Sequence, residues 1–151
     1  MNTLKSPHTS SVHLFTDGGA RGNPGNAGVG FVAFDASGKE LFCGSKAIGK
    51  HTNNYAEYVG LLEGLSHLKK FLGVHASETA VVVNMDSELI VRQMNGVYKV
   101  KDKVLREKYI ETLALASSFS KVDFRYIPRE QNARADELAN AAMNEMEKYK
   151  I

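Results

Sequence analysis

The sequence predicts an α/β fold, a five-stranded mixed sheet flanked by helices, and three observations carry that expectation. Five short apolar runs rich in β-branched and aromatic residues are spread along the chain. The first three are joined by glycine-bearing turns, which suits consecutive hairpins. The last two are reached through helical patterns, which suits parallel strands joined by crossovers. In order, segments 12–16 (VHLFT), 28–34 (GVGFVAF) and 39–47 (KELFCGSKA) read as strands, with Asp35-Ala36-Ser37-Gly38 as the second turn. A helix follows over about 53–72, marked by leucines at 61, 65, 68 and 72. TAVVVNM (79–85) has the length and β-branching of a buried strand. Helical patterns then cover about 87–95 and 103–118, VDFRYI (122–127) is a strand closed by Pro128, and a last helix spans about 132–148. The order βββαβααβα argues for a mixed sheet covered by helices.

At 151 residues the chain fits one domain; residues 1–10 read as a loose leader and 11–151 as the folded unit. The single cysteine, Cys43, excludes an internal disulfide framework, so the reducing cytoplasm is the expected compartment. No apolar run approaches the roughly 18 residues of a membrane span, and MNTLKSPHTSS lacks a signal-peptide core. A net charge of +2 is too small to select a partner, so local charge has to carry that argument.

Residues 15–31 read FTDGGARGNPGNAGVGF, an apolar run stopped by one aspartate and followed by a glycine-rich loop. Chain reversal alone needs two to five residues and one or two glycines. Asp17 is therefore expected to do more than end a strand. Asp86 ends the fourth strand in the same manner. If the two strands are parallel neighbours, both acids project from the carboxyl edge of the sheet, where open α/β sheets place their sites. Either one alone reads better as turn or cap chemistry, with Ser87 beginning a helix.

Glu57 heads the helical stripe 57, 61, 65, 68, 72, whose other members are all leucine. A charged residue on the buried face must reach water, a partner or a metal. Gly60 and Gly64 weaken this helix by ~1 kcal/mol each relative to alanine, which points to close packing there. In PREQNARADELANAAM, Asn132 is a plausible N-cap, and Asp136 falls where the helix dipole favours negative charge. Four carboxylates drawn together repel one another and call for a cation. Hard, oxygen-seeking Mg²⁺ or Mn²⁺ suits them, and two such ions about 4 Å apart can drive phosphodiester cleavage. No His/Cys spacing for zinc is present.

The motifs TDGGARGNPG, TNNYAEYVGLLEGL, NMDSELIVRQMNG and NARADELA, in that order and spacing, resemble type 1 ribonuclease H from about Val12 to Met146. The NGVYKVK segment and PREQN loop resemble its compact archaeal and bacterial branch. The resemblance implies the ribonuclease H-like fold and cleavage of the RNA strand of RNA/DNA hybrids with two Mg²⁺, leaving 5′-phosphate and 3′-hydroxyl ends. It implies that Asp17, Glu57, Asp86 and Asp136 are catalytic, metal-binding acids. Asp17 would bridge both ions, Glu57 and Asp86 would hold the one nearer the leaving group, and Asp136 would complete the other. The backbone around Gly18, Gly19, Ala20 and Gly22, with Asn23, Asn53 and Asn54, resembles a surface that reads the hybrid's minor groove, where the 2′-hydroxyl marks RNA. Either Asn53 or Asn54 is also expected to cap its helix, and Thr52 resembles a contact to a DNA phosphate. A monomer acting on the hybrid, with no membrane, is the expectation.

The chain also departs from the family pattern. Its histidines stand at 8, 13, 51, 67 and 75, so none occupies the loop before Asp136, where many relatives have one. Arg129 is the nearest cation that could substitute electrostatically, or else a solvated loop arginine. Glu88 replaces a hybrid-contacting glutamine of some relatives and either touches the groove or sits on the helix surface. The tryptophan-bearing basic protrusion is absent; Lys99, Lys101 and Lys103 in YKVKDKVLREK form a candidate phosphate-tracking patch or a solvated helix face. GSKAIGKH (44–51) nearly matches a phosphate-binding P-loop but ends in His51, without the hydroxyl that motif needs, and reads as strand. A non-catalytic module of the same ancestry and a polynucleotidyl transferase of the same fold are the rival classes.

Overall fold

The computed structural model describes residues 11–148; the leader expected at 1–10 lies outside the described residues. Three long strands come first: β1 (Val12–Gly22), β2 (Gly25–Phe34) and β3 (Glu40–His51). They are followed by α1 (Asn53–Leu72), β4 (Ala80–Met85), α2 (Glu88–Met94), α3 (Lys103–Ala116), β5 (Lys121–Tyr126) and α4 (Ala133–Glu147). The sheet order is β3-β2-β1-β4-β5. The first three strands form antiparallel hairpins, and β4 and β5 add parallel to β1. Both crossovers are helical, as the alternation of patterns implied.

The structure corrects the reading of the glycine-rich segment. Asp17 does not close β1; the strand continues to Gly22, paired residue for residue with Gly25–Phe34 of β2. The strand expected over 28–34 is borne out; the part read as loop, 17–22 with its partners 25–27, is strand as well. On β2, Gly28 and Gly30 lie against α4, where a Cβ on Gly28 would stand 2.9 Å from the Ala139 carbonyl oxygen. The intervening Val29 and Phe31 are buried against α1, near Gly60 and Gly64. These glycines let helices approach both faces rather than bend the chain. Gly22, at φ +98° beside Asn23-Pro24, and Gly25, where a Cβ would overlap the Arg21 carbonyl, serve the turn itself. β3 likewise runs through the whole GSKAIGKH segment, so the near P-loop is strand backbone.

The stripe on α1 packs as its period predicts: Leu61, Leu65 and Leu68 are fully buried with Tyr58, against Leu14, Phe31, Val81 and Val83. A cluster of this kind, at about 1.5–3 kcal/mol per fully buried side chain, anchors α1 to one face. Ala135, Ala139, Ala142 and Met143 bury α4 against the other face. Two caps differ from expectation. Thr52, not Asn53 or Asn54, caps α1 by accepting from the Tyr55 N–H. Asn132 stands at the N-cap position of α4 but makes no side-chain cap bond.

Candidate active site

Register creates the opening. The β1–β4 ladder ends at Phe15, opposite Asn84, while β1 continues along β2 for seven more residues to Gly22. Asp17 stands two residues beyond that last pair, and Asp86 follows the last residue of β4. The expected convergence at the carboxyl edge therefore holds, although Asp17 is inside its strand. Glu57 arrives from the second turn of α1, which lies hard against β1. A Cβ on Gly18 would overlap the Ala56 carbonyl, and one on Gly60 would be 2.6 Å from the Asp17 carbonyl oxygen. Both glycines are needed for this approach.

One carboxylate oxygen from each of Asp17, Glu57 and Asp86 lies within 4.8 Å of the other two. The Oε1 of Glu57 is fully withdrawn from solvent and has no hydrogen-bond partner. Asp17 is only 6% exposed. Burial first, then the charge of Asp86 and a side-chain hydrogen bond to Asp136, push the Asp17 carboxyl up to about 8. Burial, followed by the charges of Asp17 and Asp86, pushes Glu57 well above the usual carboxylate range. Among the described residues no ion pair neutralises any of the four acids. Asp136, in the first turn of α4, stands outside the three-oxygen group but lines the same hollow as Asp17.

Three of the acids, Asp17, Glu57 and Asp136, line a cavity of about 250 Å³ together with Arg129, Asn53 and the Gly18–Gly19 backbone, whereas Asp86 does not line it. Arg129 thus faces the acids, and its charge pulls the Glu57 carboxyl back down. Asn53 Oδ1 accepts from the Ala20 N–H at 2.8 Å, and Asn23 Oδ1 accepts from the Asn53 N–H at 3.1 Å. Both asparagines spend their oxygens fixing α1 to the β1–β2 rim, which leaves their NH₂ groups as donors. A wider groove of about 710 Å³ beside the rim is lined by Asn23, Lys50, Thr52, Asn54, Tyr55 and Asp102. Glu88 does not join either hollow; it pairs with Arg92 at 2.9 Å on the surface of α2. Lys99, Lys101 and Lys103 are exposed next to Asp102, and none pairs with a carboxylate among the described residues. A separate apolar hollow among Val12, Leu41, Phe71 and Leu72 contains none of the acids.

Sequence reasoning missed Asn132 as a site residue. Its Nδ2 donates to Asp86 Oδ2 and to the Thr16 carbonyl, both at 2.9 Å. An asparagine before a helix reads as a cap, so no sequence signal distinguished it. Asn140 was also missed; its side chain donates to the Asp136 carbonyl and accepts from Arg21.

This sheet order with a carboxylate cluster at the β1–β4 opening defines a ribonuclease H-like domain. A family model described as reverse transcriptase-like matches residues 15–142. The structure of LC11-RNase H1 in complex with RNA/DNA hybrid superposes with a TM-score of 0.85 at 48% identity, covering 89% of this chain and 98% of that one. RNase H1 from Halobacterium salinarum superposes with a TM-score of 0.84 at 36% identity, covering 89% and 98%. A bifunctional protein of Mycobacterium tuberculosis is 49% identical over 134 residues, covering 88% of this chain. The chain spans only 35% of the length of that relative. The protein belongs to the type 1 ribonuclease H family.

Proposed function

We propose that the protein is an endonuclease that hydrolyses the RNA strand of RNA/DNA hybrids to 5′-phosphate and 3′-hydroxyl ends. Its cofactor is a pair of Mg²⁺ ions, with Mn²⁺ as a substitute. One observation carries the reading: three carboxylates from three separate segments share a space of 4.8 Å, and the orphaned Glu57 Oε1 is buried among them. Acids forced together without a counter-ion fit a hard divalent cation. Asp17, Glu57 and Asp86 would hold one ion, and Asp136 with Asp17 would complete a second site. Bound there, such ions supply polarisation of the scissile phosphate and a water acidic enough to attack near neutral pH.

The chain's own residues do the rest. The bare backbone of Gly18 and Gly19 admits the RNA strand, and the NH₂ groups of Asn23 and Asn53 offer donors to its minor-groove edge. Thr52 and Asn54 line the wider groove, where the DNA strand passes. Arg129 supplies the cation in the loop before α4, which carries no histidine. Exposed Lys99, Lys101 and Lys103 extend the basic track. The hybrid-bound LC11-RNase H1 structure supports this assignment of substrate. The working form is taken to be a cytoplasmic monomer; the single cysteine, Cys43, is exposed and unpaired, which suits a reducing compartment.

The test is cleavage of labelled RNA/DNA hybrid beside single-stranded RNA, duplex DNA and duplex RNA. The hybrid alone should be cut, and only with Mg²⁺ or Mn²⁺. Asp86→Asn should abolish cutting while leaving the circular dichroism spectrum unchanged. Cutting of duplex DNA would instead favour a polynucleotidyl transferase. Hybrid binding without cutting would leave a binding module.

A further inference from the structure

Asn132 is buried to 1% exposure, yet its side chain does not perform the task its position offers. An N-cap asparagine ordinarily turns its oxygen onto the free N–H groups of the first turn. Here Oδ1 is buried without a partner, and the NH₂ group is turned the other way. Leaving a buried acceptor unsatisfied is costly, so the opposite end of the amide must be held firmly.

It is held at the point where the sheet opens. One Nδ2 bond takes the Thr16 carbonyl, just past the last β1–β4 pair and next to Asp17. The second takes the Asp86 carboxylate. The Asn132 backbone carbonyl accepts from the Asp136 N–H at 3.0 Å, and its own N–H donates to the Arg129 carbonyl at 2.9 Å. One residue therefore ties together the strand of Asp17, the carboxylate of Asp86, the helix turn of Asp136 and the loop of Arg129.

We propose that Asn132 is a positioning residue: its amide clamps Asp86 to the β1 backbone, so the acidic group is preassembled before a divalent cation arrives. The proposal rests on the nuclease reading for its consequence in catalysis, but not for its consequence in cation binding. Asp86 follows Met85 at a strand end, and without the clamp its side chain would swing away from Asp17 and Glu57 under mutual repulsion. Partners that orient metal-binding side chains typically contribute 10- to 100-fold in affinity or activity.

The experiment is calorimetric titration of Mn²⁺ into metal-free protein, paired with the Mg²⁺ dependence of kcat and KM on hybrid. Asn132→Ala should weaken Mn²⁺ binding about tenfold or more and lower kcat with little change in KM. Raising Mg²⁺ should restore much of its activity, which it should not do for Asp86→Asn. Wild-type Mn²⁺ affinity and Mg²⁺ dependence in folded Asn132→Ala would overturn the proposal, even if its Tm had dropped. Should Asn132→Ala not fold, Asn132→Ser, whose hydroxyl can serve only one of the two acceptors, decides by the same readouts. If the wild type fails to cut hybrid, the nuclease reading falls, while the Mn²⁺ titrations still decide the clamp.

Discussion

At the scale of single residues, the site is an electrostatic problem that the fold creates and leaves unsolved. Asp17 has a native pKa of about 8 against 3.8 for the free side chain, so the folded chain binds the extra proton between those values. Stability therefore falls as pH rises from about 4 to 8 in metal-free protein, because the native state must give up a proton the unfolded state has already lost. Glu57 acts in the same direction. In EDTA, Tm should decline across that window, by the equivalent of a few kcal/mol, and Asp17→Asn should flatten the decline and raise Tm at pH 8. Adding Mg²⁺ to the wild type should reverse the loss, since a ligand bound only by the native state stabilises it. Tm independent of pH in EDTA would mean the acids are better solvated than their burial implies. Arg129 answers the same problem with a fixed positive charge that relieves Glu57. Arg129→Ala should slow turnover about tenfold, the equivalent of about 1.4 kcal/mol, and unchanged steady-state kinetics would reject its role.

At the scale of elements, the decisive event is the close seat of α1 on β1. Gly60→Ala sets two effects against each other. Helix propensity gains up to ~1 kcal/mol. Against it, the new methyl would stand 2.6 Å from the Asp17 carbonyl oxygen, a backbone atom that cannot rotate away. Overpacking of that kind costs about 1–3 kcal/mol, so it should win. Urea unfolding should show net destabilisation, and hybrid cleavage should fall further than stability explains, because Glu57 moves with the helix. Much of this element was legible beforehand: the leucine stripe located α1 to the residue, and the glycines within it signalled tight packing. The segment 18–27 after Asp17 reads as loop because glycine carries little strand propensity, whereas here Gly18 is needed for the approach of α1 and the β1–β2 pairing runs through to Gly22 and Gly25. The cap of α1 was misassigned by one residue, since Thr52, Asn53 and Asn54 all suit that position. Asn132 escaped notice for a different reason: its partners, Thr16 and Asp86, are distant in sequence, and only the register brings them to it.

At the scale of the whole molecule, the acids, the rim and the basic segment 99–103 are supplied by well-separated parts of the chain. A duplex lying over them engages phosphates as well as the site, and each neutralised phosphate contributes to the salt dependence of binding. Neutralising Lys99, Lys101 and Lys103 together should reduce the slope of log K against log salt by about 2–3 if all three touch the backbone. An unaltered slope would leave them as solvated surface. The continuity of β1 has a further consequence. Asp17 and the rim at Ala20 lie on one uninterrupted strand, three residues and roughly 10 Å apart. Under the proposed function, the span between the sugar that would be inspected and the bond that would be broken is set by strand geometry, with no loop between them. Lengthening that strand by a single residue after Asp17 would turn the following side chains to the opposite face, and on the proposed function should impair recognition of the hybrid without removing an acid.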